Sequence, residues 1–152
     1  MKRTLMKKAR LLQLVLIVTI YLMIATALHE YSHMLALRLS GYEGYIKSTE
    51  LNAVYFTTFP ADPNIRLFVG AAGGVGASLV LLILYLMDVD PENHHAFKIL
   101  IGYELIYGFF EGYGFYTDNV YQLMNGEILG TVFVMAYLIY HIMRRWVVVV
   151  DE

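Results

Sequence analysis

The chain has 152 residues, of which 59% are hydrophobic and 16% are charged, and its formal net charge is −2. A typical soluble domain is about 45–50% apolar, so this composition predicts one integral membrane domain. The sequence contains no cysteine, which excludes disulfides, thiolate metal ligands and cysteine nucleophiles. The small net charge and the lack of a basic patch argue against nucleic acid as a partner.

Four segments are predicted to span the membrane as helices, because about 20 mostly apolar residues cross the hydrocarbon core. They cover about residues 11–39, 67–87, 96–117 and 128–145. The predicted fold is therefore an all-α polytopic membrane protein. Basic residues precede the first span and follow the fourth, which predicts that both chain ends are cytoplasmic. We expect a multi-pass protein of the plasma membrane.

The segment between the first two spans, about residues 42–60, predicts a short β-hairpin. Residues 45–49 and 53–58 are rich in β-branched and aromatic side chains, and residues 50–52 could turn between them. Gly41 and Pro60 are typical of the ends of regular elements. We expect the hairpin to lie at the membrane surface or against the protein.

His29, Glu30 and His33 form an H-E-x-x-H motif towards the end of the first predicted span. Positions i and i+4 share one helix face, so both imidazoles can reach the same metal ion. Zinc accepts nitrogen ligands and keeps a position for water at catalytic sites, where Glu30 could act as the general base. A chance match is the alternative, but ionisable groups within an apolar helix are costly and indicate function.

A catalytic zinc site usually has a third protein ligand, and the acidic residues of the third span are the main candidates. Glu104, Glu111 and Asp118 are spaced by seven residues, which places them near one helix face. We favour Asp118, because it lies at the same end of its span as His29 and His33, with Glu111 as the alternative. Glu104 lies about 20 Å deeper than Asp118, which argues against it as a ligand. The other histidines are interpreted as loop or interfacial side chains: His94, His95 and His141.

Small residues at positions 70–78 open the second predicted span. Gly70 and Gly74 form a G-x-x-x-G match, and small residues of this kind let two helix backbones approach closely. The pattern predicts tight packing against the first span. The alternative is a close approach of this span to the metal site or to a substrate strand.

Together these features resemble the site-2 protease family of intramembrane zinc metalloproteases. The resemblance lies in the histidine motif, the strand-like segment after it, the small-residue second span and the later aspartate, and covers about residues 15–125. It implies a β-segment that presents substrate as an added strand. The residues that it assigns to the metal and to catalysis are His29, His33 and Asp118 as Zn²⁺ ligands and Glu30 as the base.

The sequence departs from the pattern of that family at three places. The family usually has a small residue, often glycine, before the second histidine, whereas Ser32 is small but polar. Asp118 lies between Thr117 and Asn119 instead of in a Leu-Asp-Gly setting. Residues 73–78 also lack the Asn-Pro element of the family's middle span.

The function expected from these residues is hydrolysis of peptide bonds in or near the transmembrane helices of other membrane proteins, within the lipid bilayer. A membrane metal-binding or transport protein is one alternative, because Glu104 and Glu111 inside a span would suit an ion path. A catalytically silent relative of such proteases is another.

Overall fold

The computed structural model describes residues 2–46, 54–56, 58–88 and 90–147. In chain order these residues form α1 (Lys2–Leu39), β1 (Gly44–Ile46), β2 (Val54–Phe56), α2 (Pro63–Met87), α3 (Pro91–Thr117) and α4 (Tyr121–Val147). The predicted helical architecture is confirmed with four long helices, whereas the predicted number of four membrane spans stays a prediction. Three helices are long and apolar enough to cross a membrane, at Leu14–Leu39, Pro63–Met87 and Tyr121–Arg144. These helices indicate a membrane protein.

Each helix begins before the apolar stretch from which its span was predicted. The start of α2 gives the reason, because Pro63 at the first turn lacks an amide hydrogen that would otherwise be unpaired there. The Asp62 side chain caps the helix by accepting a hydrogen bond of 2.8 Å from the Asn64 amide. Hydropathy locates only the part of a helix that suits lipid, whereas proline and capping residues determine where it begins.

A glycine in the left-handed conformation ends α1. Gly41 has φ +81°, a backbone conformation that side chains other than that of glycine rarely adopt. The Tyr42 amide donates to the Leu37 carbonyl and the Gly41 amide to the Arg38 carbonyl, at 3.1 and 3.0 Å. This is the Schellman arrangement that satisfies the last carbonyls of a helix. It turns the chain out of α1, away from the histidine motif and into β1.

The strands β1 and β2 pair antiparallel, with Tyr45 opposite Tyr55. Both strands contact α1. The residues that connect the two strands lie outside the described ranges. Residues 47–50 of the predicted hairpin are among them. Its association with the membrane surface stays a prediction.

Helices α1, α2 and α3 pack against one another, whereas α4 contacts α3 alone among the described helices and strands. The contact between α2 and α3 is close, because a Cβ added at Gly74 would meet the backbone of Gly108. A Cβ added at Gly70 would likewise lie 2.9 Å from the Cα of Gly112. The predicted tight packing of the small-residue stretch on the first span is confirmed at Gly76, where an added Cβ would meet α1, but Gly70 and Gly74 do not take part in it. They face α3, which carries two glycines at the same spacing.

Candidate metal site

Two histidines of α1 and two glutamates of α3 meet in the interior of the three-helix bundle. His29 and His33 lie one turn apart on α1 and are 5% and 4% exposed, while Glu104 and Glu111 are 3% and 7% exposed. One ligand atom from each of His29, His33 and Glu111 lies within 4.8 Å of the other two. The Oε2 atom of Glu111 is 2.9 Å from Nε2 of His29 and 3.2 Å from Nε2 of His33. We call His29, His33 and Glu111 the metal group.

The other nitrogen of each imidazole ring is held by a hydrogen-bond acceptor. Nδ1 of His33 donates to the carbonyl oxygen of Val69 on α2, at 2.6 Å. Nδ1 of His29 lies 2.8 Å from Oε2 of Glu104 on α3. Histidines that bind metals usually donate their second ring nitrogen to a carboxylate or a carbonyl, which fixes the tautomer and turns the free nitrogen to the metal. Both rings of the metal group have this arrangement.

In the metal group, lone pairs of ring nitrogens and of a carboxylate face one another. Because these lone pairs repel, a positive charge is needed between them. A carbonyl can only accept, so Nδ1 of His33 carries the hydrogen and Nε2 presents a lone pair in the neutral ring. That buried Nε2 atom makes no hydrogen bond within the described residues although Oε2 of Glu111 lies 3.2 Å away, because two lone pairs face each other there. His29 faces a carboxylate at both nitrogens. A bound proton or a bound metal ion would relieve this concentration of lone pairs, and burial makes an uncompensated charge costly.

A glycine leaves the space in front of the two ring nitrogens open. A Cβ atom added at Gly73 of α2 would collide with Nε2 of His29 and with Nε2 of His33. Any side chain at position 73 would therefore occupy the space next to the two nitrogens that face Glu111. The alternative prediction was that the small-residue span approaches the metal site. The position of Gly73 confirms this close approach.

The metal group fits a divalent transition metal. Two imidazoles and one carboxylate are a known donor set of catalytic zinc sites, in which a fourth position stays open for water. Mg²⁺ and Ca²⁺ prefer six or more oxygen donors, which this group does not offer. A buried group that could hold a metal ion, with His29 and His33 as predicted, is thus present in the structure.

Glu30 lies beside the metal group and lines a cavity of about 230 Å³. Its side chain is buried, at 9% exposure. The cavity also borders His29, so one member of the metal group and the proposed base line the same space. The complete lining comprises Thr26, His29 and Glu30 of α1, Tyr103, Glu104 and Tyr107 of α3, and Glu127 of α4.

The structure does not bring Asp118 to the histidines. α3 ends at Thr117, and Asp118 lies in the turn after it, exposed and with φ 55°. Glu111 precedes it by seven residues, or about 10 Å along a helix, and supplies the carboxylate that was expected from Asp118. The metal group therefore lies about two turns further from the end of α3 than predicted.

Glu104 holds a ligand histidine, a role that its sequence position did not predict. It lies about 20 Å from Asp118 along the helix but only two turns from Glu111. One imidazole reaches both carboxylates, because the two nitrogens of His29 point to opposite sides of the ring. The seven-residue spacing of the acidic residues was the signal for this arrangement.

The remaining histidines lie elsewhere in the bundle. Nδ1 of His95 is 2.9 Å from the hydroxyl of Tyr137 on α4, and the rings of His95 and His141 are 4.0 Å apart between centroids. His141 is buried at 9% exposure, and its predicted place at the membrane interface stays a prediction. His141 of α4 thus faces His95 of α3 across the contact between the two helices.

Comparison with protein-family models, with curated proteins and with solved structures gave no match. The resemblance to site-2 proteases therefore rests on the residues of the chain itself. The geometry of the metal group and its neighbours carries the functional argument.

Replacing Glu104 with glutamine should weaken metal binding about 10- to 100-fold, the usual effect of losing a partner behind a ligand histidine. The amide keeps the volume but can present an N–H group to Nδ1 of His29, which favours the wrong tautomer. Competition with a chelating dye would measure the affinity. Glu127→Gln is the matched control, since this carboxylate lines the same cavity without contacting either histidine. Equal affinities for both variants would contradict this role of Glu104.

Proposed function

We propose that this protein is an intramembrane zinc metalloprotease that hydrolyses peptide bonds in or near transmembrane segments of membrane proteins. The observation that carries the proposal is the buried metal group, with Glu30 beside it and a polar cavity next to both. It occurs in a chain whose helices are long and apolar enough to cross a membrane. Ionisable residues in such helices are costly and point to a function.

Zinc is the metal that the donor set favours. Imidazole nitrogens together with one carboxylate suit zinc, and the chain has no thiolate for softer metals. When bound, zinc would polarise a peptide carbonyl and make a bound water more acidic. His29, His33 and Glu111 would hold it, with Glu104 and the Val69 carbonyl orienting the two rings.

Glu30 is the proposed general base. Its carboxylate would take a proton from the attacking water and return that proton to the leaving amine, as one group serving both halves of the reaction. Its position supports this role, because it follows His29 directly in the chain and lines the cavity that borders that histidine. Burial keeps competing bulk water away from the reacting atoms.

We also propose that α3 spans the membrane together with the three more apolar helices. Glu104 and Glu111 point into the bundle and away from lipid, which removes most of the cost of carboxylates in a span. The protein would then be a four-span protein of the plasma membrane. It would be a relative of site-2 proteases in which Glu111 takes the place of the aspartate ligand, and the paired strands β1 and β2 would offer an edge to extended substrate.

Glu30→Gln tests the proposal directly. Zinc should stay bound, whereas cleavage should fall by about 10²- to 10⁴-fold, the usual contribution of a general base. The measurement is cleavage of a reporter with one glycine- and proline-bearing transmembrane helix, in vesicles, alongside the zinc content of the same sample. Glu43→Gln, at an exposed site between α1 and β1, serves as the control. Undiminished cleavage by Glu30→Gln would overturn the assignment of Glu30.

A membrane metal-binding or transport protein is the second candidate. The observation that favours it is the polar cavity, which three carboxylates line: the buried Glu30 and Glu104 and the exposed Glu127. A metal carrier does not need a base beside the first histidine. Zinc uptake into vesicles that persists in Glu30→Gln, with no cleavage by the parent protein, would favour the carrier. Zinc binding with neither activity would favour a silent relative of the proteases.

A further inference from the structure

The cavity beside the metal group lies where α1, α3 and α4 border one another. Thr26 of α1 and Glu127 of α4 line it from two helices that both pack on α3. Yet no Cα atom of α1 lies within 8 Å of a Cα atom of α4 in the described ranges. The backbones of the two helices thus do not pack closely on each other, and the cavity lies between them with α3 behind it. We call this region, between Thr26 and Glu127, the α1–α4 slot.

The other borders of the metal group are closed by direct contact. Between α1 and α2, a Cβ added at Gly76 would collide with the Ser32 side chain, as one at Gly73 would with the histidine rings. Between α2 and α3, Gly74 touches the backbone of Gly108. A polypeptide cannot pass between backbones in such contact.

The end of the bundle near His33 is covered by aromatic rings. The Phe115 ring lies 6.3 Å from that of His33 between centroids, and the Phe59 ring lies 6.0 Å from that of Phe115. Within the described part of the chain, the α1–α4 slot is therefore the border that stays open. A substrate backbone could reach His29 and Glu30 through it.

The slot is apolar outside and polar inside, which suits a transmembrane substrate. Large apolar side chains are exposed on the two flanking helices, including Met23 at 71% on α1 and Ile128 at 56% on α4. The cavity itself offers carboxylate acceptors and the phenol groups of Tyr103 and Tyr107. Non-helical backbone is tolerated at membrane depth where polar groups or water satisfy its amides and carbonyls.

We propose that a transmembrane segment of the substrate enters through the α1–α4 slot and unwinds against Glu127 and the two tyrosines before its backbone reaches the metal group. The inference rests on the proposed protease function and adds the route of entry and the residues that meet the substrate. Because α4 is held by α3 alone among the described elements, the width of the slot depends on that single packing contact.

A reversible cross-link across the slot tests the route. The chain has no native cysteine, so Thr26→Cys with Glu127→Cys can be joined by a reducible bifunctional thiol reagent. The control pair is Gly114→Cys with Gln122→Cys. The Cβ of Gln122 lies 3.2 Å from a Cβ built at Gly114. A bond between these two positions joins α3 and α4 where they already are in contact. Cleavage of the helix reporter and zinc content are measured before and after reduction of the same sample.

Linking the slot should slow reporter cleavage about tenfold or more, as blocked access does, with zinc retained and the rate restored on reduction. The control pair should show no such difference. Unchanged cleavage with the slot linked, or an equal loss in both pairs, would overturn the entry route while leaving the proposed protease function intact.

A second measurement decides the route even where no cleavage is observed. A photoreactive residue is placed in Glu30→Gln at position 26 or 127 of the slot, or at the exposed α2 positions Val75 and Leu79. The reporter helix should be captured from the slot positions and far less from α2. Equal capture at all four would overturn the route. Absence of cleavage by the zinc-loaded parent, with capture still confined to the slot, would count against the protease function alone.

Discussion

Replacing Glu111 with glutamine should abolish stoichiometric zinc binding by the folded protein, whereas replacing Asp118 with asparagine should leave it unchanged. Glu111 contributes the oxygen that faces Nε2 of both histidines, at 2.9 and 3.2 Å. Asp118 lies in an exposed turn beyond the end of α3. The two substitutions make the same chemical change seven residues apart, so their comparison isolates position.

The physical reason is the charge and the basicity of the carboxylate. An amide oxygen is neutral and binds zinc weakly, and the glutamine amide group would present N–H donors where the metal group presents acceptors. Two imidazoles alone fall short of the three protein ligands that a catalytic zinc site usually has. The binding energy of zinc should therefore fall steeply, although the packing volume at Glu111 is preserved.

Zinc per chain, measured by metal analysis after removal of loosely bound ions, should be roughly one in the parent and in Asp118→Asn and near zero in Glu111→Gln. His33→Ala should behave like Glu111→Gln. Circular dichroism and elution volume in detergent verify that each variant is folded. Loss of zinc in Asp118→Asn with retention in Glu111→Gln would instead identify Asp118 as the third ligand, as the resemblance implies.

Gly73→Ala should lower zinc affinity by roughly 100-fold or more, although the substitution lies on a helix that supplies no ligand side chain. The new Cβ atom would collide with Nε2 of His29 and of His33. The rings cannot withdraw freely, because their Nδ1 atoms are held by Glu104 and by the Val69 carbonyl. Moving both rings breaks both of these contacts, each of which is worth about 10- to 100-fold in metal affinity.

Gly70→Ala is the matched control for Gly73→Ala. Its Cβ atom would meet the Phe115 ring at 2.8 Å and the Gly112 backbone at 2.9 Å, so it disturbs the packing of α2 on α3 without touching the metal group. Both variants should unfold more readily in a thermal assay without metal, whereas only Gly73→Ala should bind zinc weakly. Normal zinc affinity in folded Gly73→Ala would exclude Gly73 as the residue that keeps the ligand nitrogens accessible.

The histidine motif and the helical architecture could be predicted from local pattern alone. Four residues are about one helical turn, so the spacing of His29 and His33 places both imidazoles on one face wherever the helix lies. The apolar runs predicted four long helices for the same reason. The seven-residue spacing of Glu104 and Glu111 likewise predicted a shared face, and both side chains do contact His29.

The choice among the acidic residues depended on quantities that a sequence pattern does not carry. Which carboxylate lies level with the histidines is decided by the axial offset of α3 against α1, and a shift of two turns exchanges Asp118 for Glu111. That offset is set by the glycine contacts that bring α2 against α3, such as Gly74 with Gly108. The G-x-x-x-G spacing indicated a close contact, but the same spacing would suit either neighbouring helix.

By itself the sequence determined the helices, the histidine pair and the buried acidic face, because these follow from periodicity within one element and from the cost of charge in lipid. The tertiary structure alone decided that Glu111 completes the metal group, that Gly73 keeps its nitrogens open, and that α1 and α4 stand apart. These features are contacts or separations between elements. They depend on how the backbones of two elements pack together. The residues of one element do not determine this packing, because it also depends on the residues of the other.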